Sequence, residues 1–150
     1  MIPIRLLGRH DGGVLARCAP DVFDEPIDSR LLEEFLADER HHLAVAVDDD
    51  WVVGMASAVH YVHPDKRPQK FINEVGVAPY YRRRGLARRL VQALMDEAKR
   101  LGCSEAWVLA DASNEPARAL YRAVGGKEAD QPSIMYTFPI SASATDHAGE

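Results

Sequence analysis

Between Phe71 and Ala87 the chain reads Phe-Ile-Asn-Glu-Val-Gly-Val-Ala-Pro-Tyr-Tyr-Arg-Arg-Arg-Gly-Leu-Ala. A β-rich run stops at Pro79, an arginine-rich loop follows, and Gly85 opens a strongly amphipathic segment of helical period. The first turn of a helix exposes backbone N–H groups without intrahelical partners and carries the positive end of the helix dipole. A strand, a glycine-containing loop and a helix start therefore make an anion site, best matched to phosphate. Arg82, Arg83 and Arg84 add whole charges at the same place. There is no Gly-Lys-Ser/Thr, so the lysine and hydroxyl with which a P-loop takes nucleotide and magnesium are missing, and no G-x-G-x-x-G supports a dinucleotide fold. A net charge of −5 and the lack of interleaved aromatic and basic residues argue against nucleic acid as a partner.

Arg82-x-x-Gly85-x-Ala87, preceded by a strand ending Val75-Gly76-Val77-x-Pro79, resembles the acetyl-CoA-binding motif of the GNAT N-acetyltransferase superfamily. Asn114-x-x-Ala117-x-x-Leu120-Tyr121-x-x-x-Gly125 resembles the helix that follows it there, and the two stand in the right order with one strand between them. The resemblance covers residues 1–140. It implies acetyl-CoA as co-substrate, with the loop and helix start, Arg82 to Gly85 and on through Leu86, Ala87 and Arg88, cradling its pyrophosphate. It implies that the backbone of Val75, Gly76 and Val77 hydrogen-bonds the pantetheine arm as an added strand would. Two neighbouring parallel strands, around Val77 and Val108, would splay to admit it. Asn114 would touch the cofactor, although an N-cap explains the same residue. Arg88 and Arg89 read equally as solvated helix arginines.

The chemistry of that superfamily is direct attack of an amine on the acetyl thioester. It needs a base for the ammonium proton, a donor for the developing oxyanion and an acid for the departing thiolate. Tyr121 matches the superfamily's leaving-group tyrosine, against the alternative of a tyrosine packed into the core. Glu74, on the strand just before the cofactor segment, is the candidate base, with Asn73 on the opposite face of a regular strand.

The acidic loop Asp21-Val-Phe-Asp24-Glu25-Pro26, followed by an amphipathic helix, is similar to the corresponding region of the aminoglycoside 3-N-acetyltransferases. Their substrates are polycations, which a group of carboxylates would attract and orient. The segment Ala110 to Ala117 also resembles theirs, with Asp111 at a strand end facing the cleft. Asp21, Asp24, Glu25 and Asp111 are the acceptor-site candidates. Those enzymes carry an aspartate where this chain has Glu74, which lengthens the reach of the carboxylate by one methylene. The loop from His63 to Gln69 and the residues after Phe138 also differ. A polyamine, another small amine or a protein N-terminus is the alternative acceptor, and a CoA-sensing domain without turnover is the alternative class. A homodimer through the C-terminal strands is permitted by the apolar run Ile134 to Phe138, which reads equally as core.

These side chains need a scaffold. Ile2 to Leu7 reads as a short strand, and part of residues 11–19 as a helix. Ala19 to Ile27 is an acidic loop, and Asp28 or Ser29 caps a helix whose Leu31, Leu32, Phe35 and Leu36 share a face. Leu43–Val47 and Trp51–Tyr61 form a hairpin about Asp48-Asp49-Asp50. Phe71–Val77 is the next strand. Leu86, Leu90, Val91, Leu94, Ala98 and Leu101 define the clearest helix, stopped at Gly102. Ala106–Ala110 is a buried-looking strand, a helix capped at Ser113 or Asn114 runs to Val124, and Ser133–Ile140 is a final strand. The fold class is α/β (α+β), a single domain around one mixed sheet in the order β-α-α-β-β-β-α-β-α-β. The domain spans residues 1–140, and 141–150 form a flexible polar tail.

The whole chain, 150 residues with 47% hydrophobic and 27% charged, fits one soluble globular domain. No run approaches the length needed to cross a bilayer and no secretory signal is readable, so no membrane partner and a cytoplasmic location are expected. Cys18 and Cys103 are too few for a disulfide scaffold. The pairs His41-His42 and His60/His63 lack metal-ligand spacing, so no metal is expected; His60 or His63 could line the substrate cleft. Charge is segregated: Asp21 to Glu39 holds eight acids and only Arg30 as a base, whereas Arg82 to Arg89 holds five arginines and no acid.

Overall fold

The computed structural model describes residues 1–141. Its strands are β1 (Ile4–Leu6), β2 (His41–Asp48), β3 (Trp51–Tyr61), β4 (Gln69–Val77) and β5 (Glu105–Trp107), and its α-helices are α1 (Ser29–Ala37), α2 (Leu86–Arg100) and α3 (Glu115–Ala123). The strands form one sheet in the order β1-β2-β3-β4-β5. The first four are mutually antiparallel, and β5 joins β4 in parallel after the α2 crossover.

Local chemistry accounts for most boundaries. The β2–β3 turn takes Asp49 and Asp50 at φ 48° and 68°, the two left-handed residues of a tight hairpin. The side chain of Asp28 accepts hydrogen bonds from the backbone N–H of Arg30 (2.9 Å) and Leu31 (3.1 Å), which starts α1. In α2 the residues Leu86, Leu90, Val91, Leu94 and Ala98 are buried, as the sequence period predicts, whereas Leu101, expected on the same stripe, is the exposed C-cap.

The sheet separates two cores. On one face α2 packs over Ala44, Ala46, Val53, Ala56, Ala58 and Ile72. On the other, Leu15, Val22, Leu43, Val45, Val52 and Met55 are buried together, with Leu32 and Phe35 of α1 against them.

Three expectations are corrected. The segment within residues 11–19 forms a short 3-10 turn, Gly12–Ala16, rather than an α-helix. β5 is three residues long and half exposed rather than a buried strand through Ala110. No strand forms over Ser133–Ile140. Ile134, Met135, Tyr136, Phe138 and Ile140 are all at least 74% exposed, because β-propensity acts through packing against neighbouring strands and this run has none. Of the tail read over 141–150, residues 142–150 lie outside the described residues. No helix among the described residues is long and apolar enough to cross a membrane.

Candidate active site

β4 and β5 pair at Gln69–Glu105, Lys70–Ala106 and Phe71–Trp107, and there the pairing ends. β4 continues to Val77 with β3 on its other side only. The stretch from Ile72 to Val77 therefore has an open edge, which is the parting expected around Val77 and Val108. The N–H of Ala78 is bonded to the Val53 carbonyl of the inner neighbour at 2.9 Å. Alternation along the strand then turns the backbone of Gly76 toward β3 and that of Val75 and Val77 toward the opening. Arg82 Nε donates to the Val77 carbonyl at 3.0 Å, tying the loop to this edge.

Past β4 the backbone turns left-handed at Arg83 (φ 64°) and at Gly85 (φ 77°). Gly85 is the N-cap of α2 and supplies no side-chain cap. The N–H groups of Leu86, Ala87 and Arg88 are thus offered at a dipole's positive end in a loop of alternating handedness, a geometry that suits phosphate oxygens. Arg82, Arg83, Arg84 and Arg88 are exposed around it. The guanidinium of Arg84 lies over the rings of Tyr80 (4.8 Å) and Tyr81 (5.1 Å), and Tyr81 donates its hydroxyl proton to Asp48 at 2.6 Å. Arg89 instead donates to the Ile2 carbonyl at 2.7 Å and serves the scaffold. The open edge and this cradle fit a long peptide-like arm ending in a pyrophosphate, as coenzyme A has.

Glu74 reaches its position through a β-bulge. Ser57 opposes Glu74 while Ala58 opposes Ile72, which leaves Asn73 as the extra residue. In an unbroken strand Phe71 and Glu74 would point to opposite faces. With the bulge they share one, because their partners Val59 and Ser57 do. Glu74 stands exposed there. The acidic loop crosses the same face, since a Cβ on Gly76 would lie 2.2 Å from the carbonyl oxygen of Val22. Val22 is 2% exposed and anchors the loop, so Asp21, Asp24 and Glu25 stand exposed beside the bulge end of β4.

Tyr121 lies on α3 and packs partly buried against the α2-side core. Burial pushes its phenol above the ordinary tyrosine value, so it holds its proton at neutral pH. The Asn114 side chain accepts from the Ala117 N–H at 3.1 Å and so caps α3. Asp111 sits in the turn closed by the Asn114 N–H and the Asp111 carbonyl (2.9 Å), four positions beyond the last β5 residue rather than at a strand end.

Two features escaped the sequence reading. One is an aromatic group on the Glu74 face, Tyr61, Phe71 and Trp107. In the structure Glu105, Trp107 and Leu109 are exposed at a spacing of two, whereas the composition of Ala106–Ala110 reads as buried, so the sequence carried no signal for this face. The other is a polar cluster under α2. Lys70 is fully buried and donates to Glu97 (2.6 Å) and the Leu94 carbonyl (3.0 Å). His42 Nδ1 lies 3.0 Å from Glu97, and His42 Nε2 lies 2.7 Å from His60 Nδ1. His60 therefore faces α2 rather than the Glu74 side. Among the described residues no three His, Cys, Asp or Glu are grouped to hold a metal, and both cysteines are free.

The model of the Acetyltransferase (GNAT) family matches residues 14–125. The chain belongs to the GNAT family. It is 42% identical over 55 residues to the ribosomal protein bS18-alanine N-acetyltransferase of Escherichia coli (strain K12), a match spanning 37% of this chain and 37% of that relative. Against N-alpha-acetyltransferase 30 of Schizosaccharomyces pombe identity is 27% over 101 residues, 67% of each chain. Among solved structures, an aminoglycoside acetyltransferase, meta-AAC0020, from an uncultured soil metagenomic sample in complex with sisomicin superposes with a TM-score of 0.78. Identity is 20%, and the match covers 93% of this chain and 97% of that one. AAC(6')-Iy in complex with a bisubstrate analogue, CoA-S-monomethyl-acetylneamine, gives a TM-score of 0.75 at 22% identity, covering 93% and 99%. At these identities the likeness is one of fold, and it agrees with the mixed five-stranded sheet of this GNAT chain.

Proposed function

We propose that this GNAT chain is an acetyl-CoA-dependent N-acetyltransferase whose acceptor is a primary amine of a small polycation of aminoglycoside type. The observation that carries this reading is the parting of β4 from β5 beyond Phe71–Trp107, with Glu74 exposed beside it and the α2 N-terminus beyond it. Acetyl-CoA would supply an activated acetyl group as a thioester. The open-side N–H groups of Val75 and Val77 hold the arm and can donate to the carbonyl oxygen as charge develops on it. Glu74, directly or through a water, takes the proton that the acceptor ammonium must lose before its nitrogen attacks. As the N–C bond forms and the C–S bond breaks, Tyr121 is the neutral acid for the sulfur, and its raised phenol keeps that proton available. Asp21, Asp24 and Glu25, held across Gly76 by Val22, attract the cation.

Glu74→Gln keeps the shape and removes the base, and is expected to lower kcat by about 10²–10³-fold with the acetyl-CoA KM within about two-fold. Tyr121→Phe is expected to lower kcat by roughly 10–10²-fold and to leave cofactor affinity in place. Thiol release across aminoglycosides, polyamines and short peptides tests the acceptor, and NMR of the product identifies the nitrogen modified. That distinguishes the 3-N amine, which the sequence resemblance implies, from any other. Binding of acetyl-CoA with no turnover on any amine would reject the enzyme reading in favour of a sensor.

The bS18-alanine relative favours a second reading, a protein N-terminus as acceptor. In that case short alanine-led peptides would be acetylated and aminoglycosides would not. A homodimer is proposed through the exposed run Ile134 to Phe138, and a cytoplasmic location is retained from the sequence.

A further inference from the structure

The face that carries Glu74 is only half covered. α1 and the 3-10 turn pack on its β2–β3 end, over Leu43, Val45 and Met55. Toward β5 it displays Phe71 and Trp107, whose ring centroids are 4.5 Å apart.

We infer that Phe71 and Trp107 form a cation–π platform that receives the ammonium-bearing rings of the acceptor and presents one amine to Glu74. The inference rests on the N-acetyltransferase reading above and deepens it by giving the acceptor a second recognition surface beside the acidic loop.

Three observations carry it. First, Trp107 is held in a fixed orientation although it is 40% exposed. Its indole N–H donates to the Tyr61 hydroxyl at 2.5 Å, Tyr61 donates to the Gln69 side-chain oxygen at 3.0 Å, and the Gln69 amide donates to Glu105 at 2.9 Å. An exposed indole locked by a chain of hydrogen bonds has already lost its rotamer freedom, so a ligand need not restrain it. Second, carboxylates stand at both ends of the aromatic pair. Glu105 lies two residues before Trp107 on the same face of β5, and the bulge at Asn73 brings Glu74 to the Phe71 face of β4. Aromatic faces are electron-rich, and between two carboxylates they complement a cation more than a neutral ring. Third, the platform lies at the last paired rung before the strands part, so a molecule on it is next to the opening from which the acetyl group would come.

The test uses the full chain with Trp51→Phe, which leaves Trp107 as the sole one of the two tryptophans. Neamine, a polycation, is titrated against tryptophan emission, and trehalose serves as an uncharged sugar control. The expected result is a saturable change with neamine and none with trehalose at the same concentration. In the unaltered background, Trp107→Leu is expected to raise the neamine KM roughly ten-fold with the acetyl-CoA KM unchanged, and Trp107→Phe to stay within about three-fold. Should Trp107→Leu fail to fold, 5-fluorotryptophan in the Trp51→Phe protein gives the same readout. Fluorine withdraws charge from the ring without changing its packing, and neamine should bind more weakly. An equal response to trehalose, or a folded Trp107→Leu protein with an unchanged neamine KM, overturns the platform. Turnover of neamine with silent Trp107 emission also overturns it and leaves the enzyme reading standing. A neamine-specific response without turnover of any amine supports the platform and rejects the enzyme reading.

Discussion

Gly76→Ala is expected to destabilise the protein by roughly 2–4 kcal/mol and to raise the acceptor KM about ten-fold or more. The added methyl would lie 2.2 Å from the Val22 carbonyl oxygen, far inside contact distance. β4 cannot yield, since it is paired to β3 from Gln69 to Val77. The acidic loop must lift instead. Val22, now 2% exposed, then meets water, at a cost of about 1.5–3 kcal/mol for a fully buried aliphatic side chain. Asp21, Asp24 and Glu25 move with it, while the phosphate cradle at Gly85 to Arg88 stays in place. The acetyl-CoA KM should therefore change much less than that of the acceptor. Urea unfolding with parallel steady-state kinetics checks both halves. Wild-type stability with unaltered acceptor kinetics would show that the loop does not rest on β4.

The second large effect concerns Lys70 and Glu97. Glu97→Gln leaves the fully buried Lys70 ammonium without its anion, and breaking such a pair from one side is expected to cost about 3–5 kcal/mol. Lys70→Met with Glu97→Leu removes both charges at similar volume and should recover most of that loss. Acid provides an independent check. Burial would raise the Glu97 carboxyl, but hydrogen bonds from His42 and Lys70 outweigh it and hold it at about 2. A carboxyl lowered on folding stabilises above its unfolded value, and that stabilisation is lost as pH falls from about 4.5 toward 2. The linkage is on the order of 3 kcal/mol. Burial first, and then the charges of His42 and Lys70, push His60 below its ordinary value. The unfolded chain therefore takes up this proton first, and stability also falls as pH drops through about 6.5. Urea midpoints from pH 7 to 3 should decline for the wild type, and the gap to Glu97→Gln should narrow toward acid. A gap that widened instead would show that Glu97 is not the charged partner.

Short-range signals make the frame legible in the sequence. The stripe from Leu86 to Ala98, the Asp48–Asp50 turn between β-rich runs, and the Asp28 and Asn114 caps are short-range signals, and the structure places an element at each. The strand–loop–helix at Gly85 was legible for the same reason. What stayed hidden depends on partners distant in sequence. The bulge at Asn73 is a mismatch between two strands and leaves no mark in either alone. Lys70 looks like an exposed strand lysine until Glu97, on a helix 27 residues later, closes over it. Trp107 gains its meaning from Phe71 and Tyr61, both on other strands. Ser133–Ile140 has strand composition but no strand beside it, and composition alone did not make it one.

The short pairing of β5 has a consequence for how stability is distributed. Three rungs hold this strand, and α3 beyond it has no buried residue. Strands β2, β3 and β4, by contrast, are paired over long registers and pinned by α2. Such a molecule opens in parts: β5 and α3 can detach at a fraction of the free energy of global unfolding. A ligand that fills the gap between β4 and β5 acts as the missing strand and couples its own affinity to the closure of that unit. Amide protons of α3 would then exchange quickly in the free protein and slowly in the complex, so the unit of β5 and α3 completes its folding when its ligand arrives.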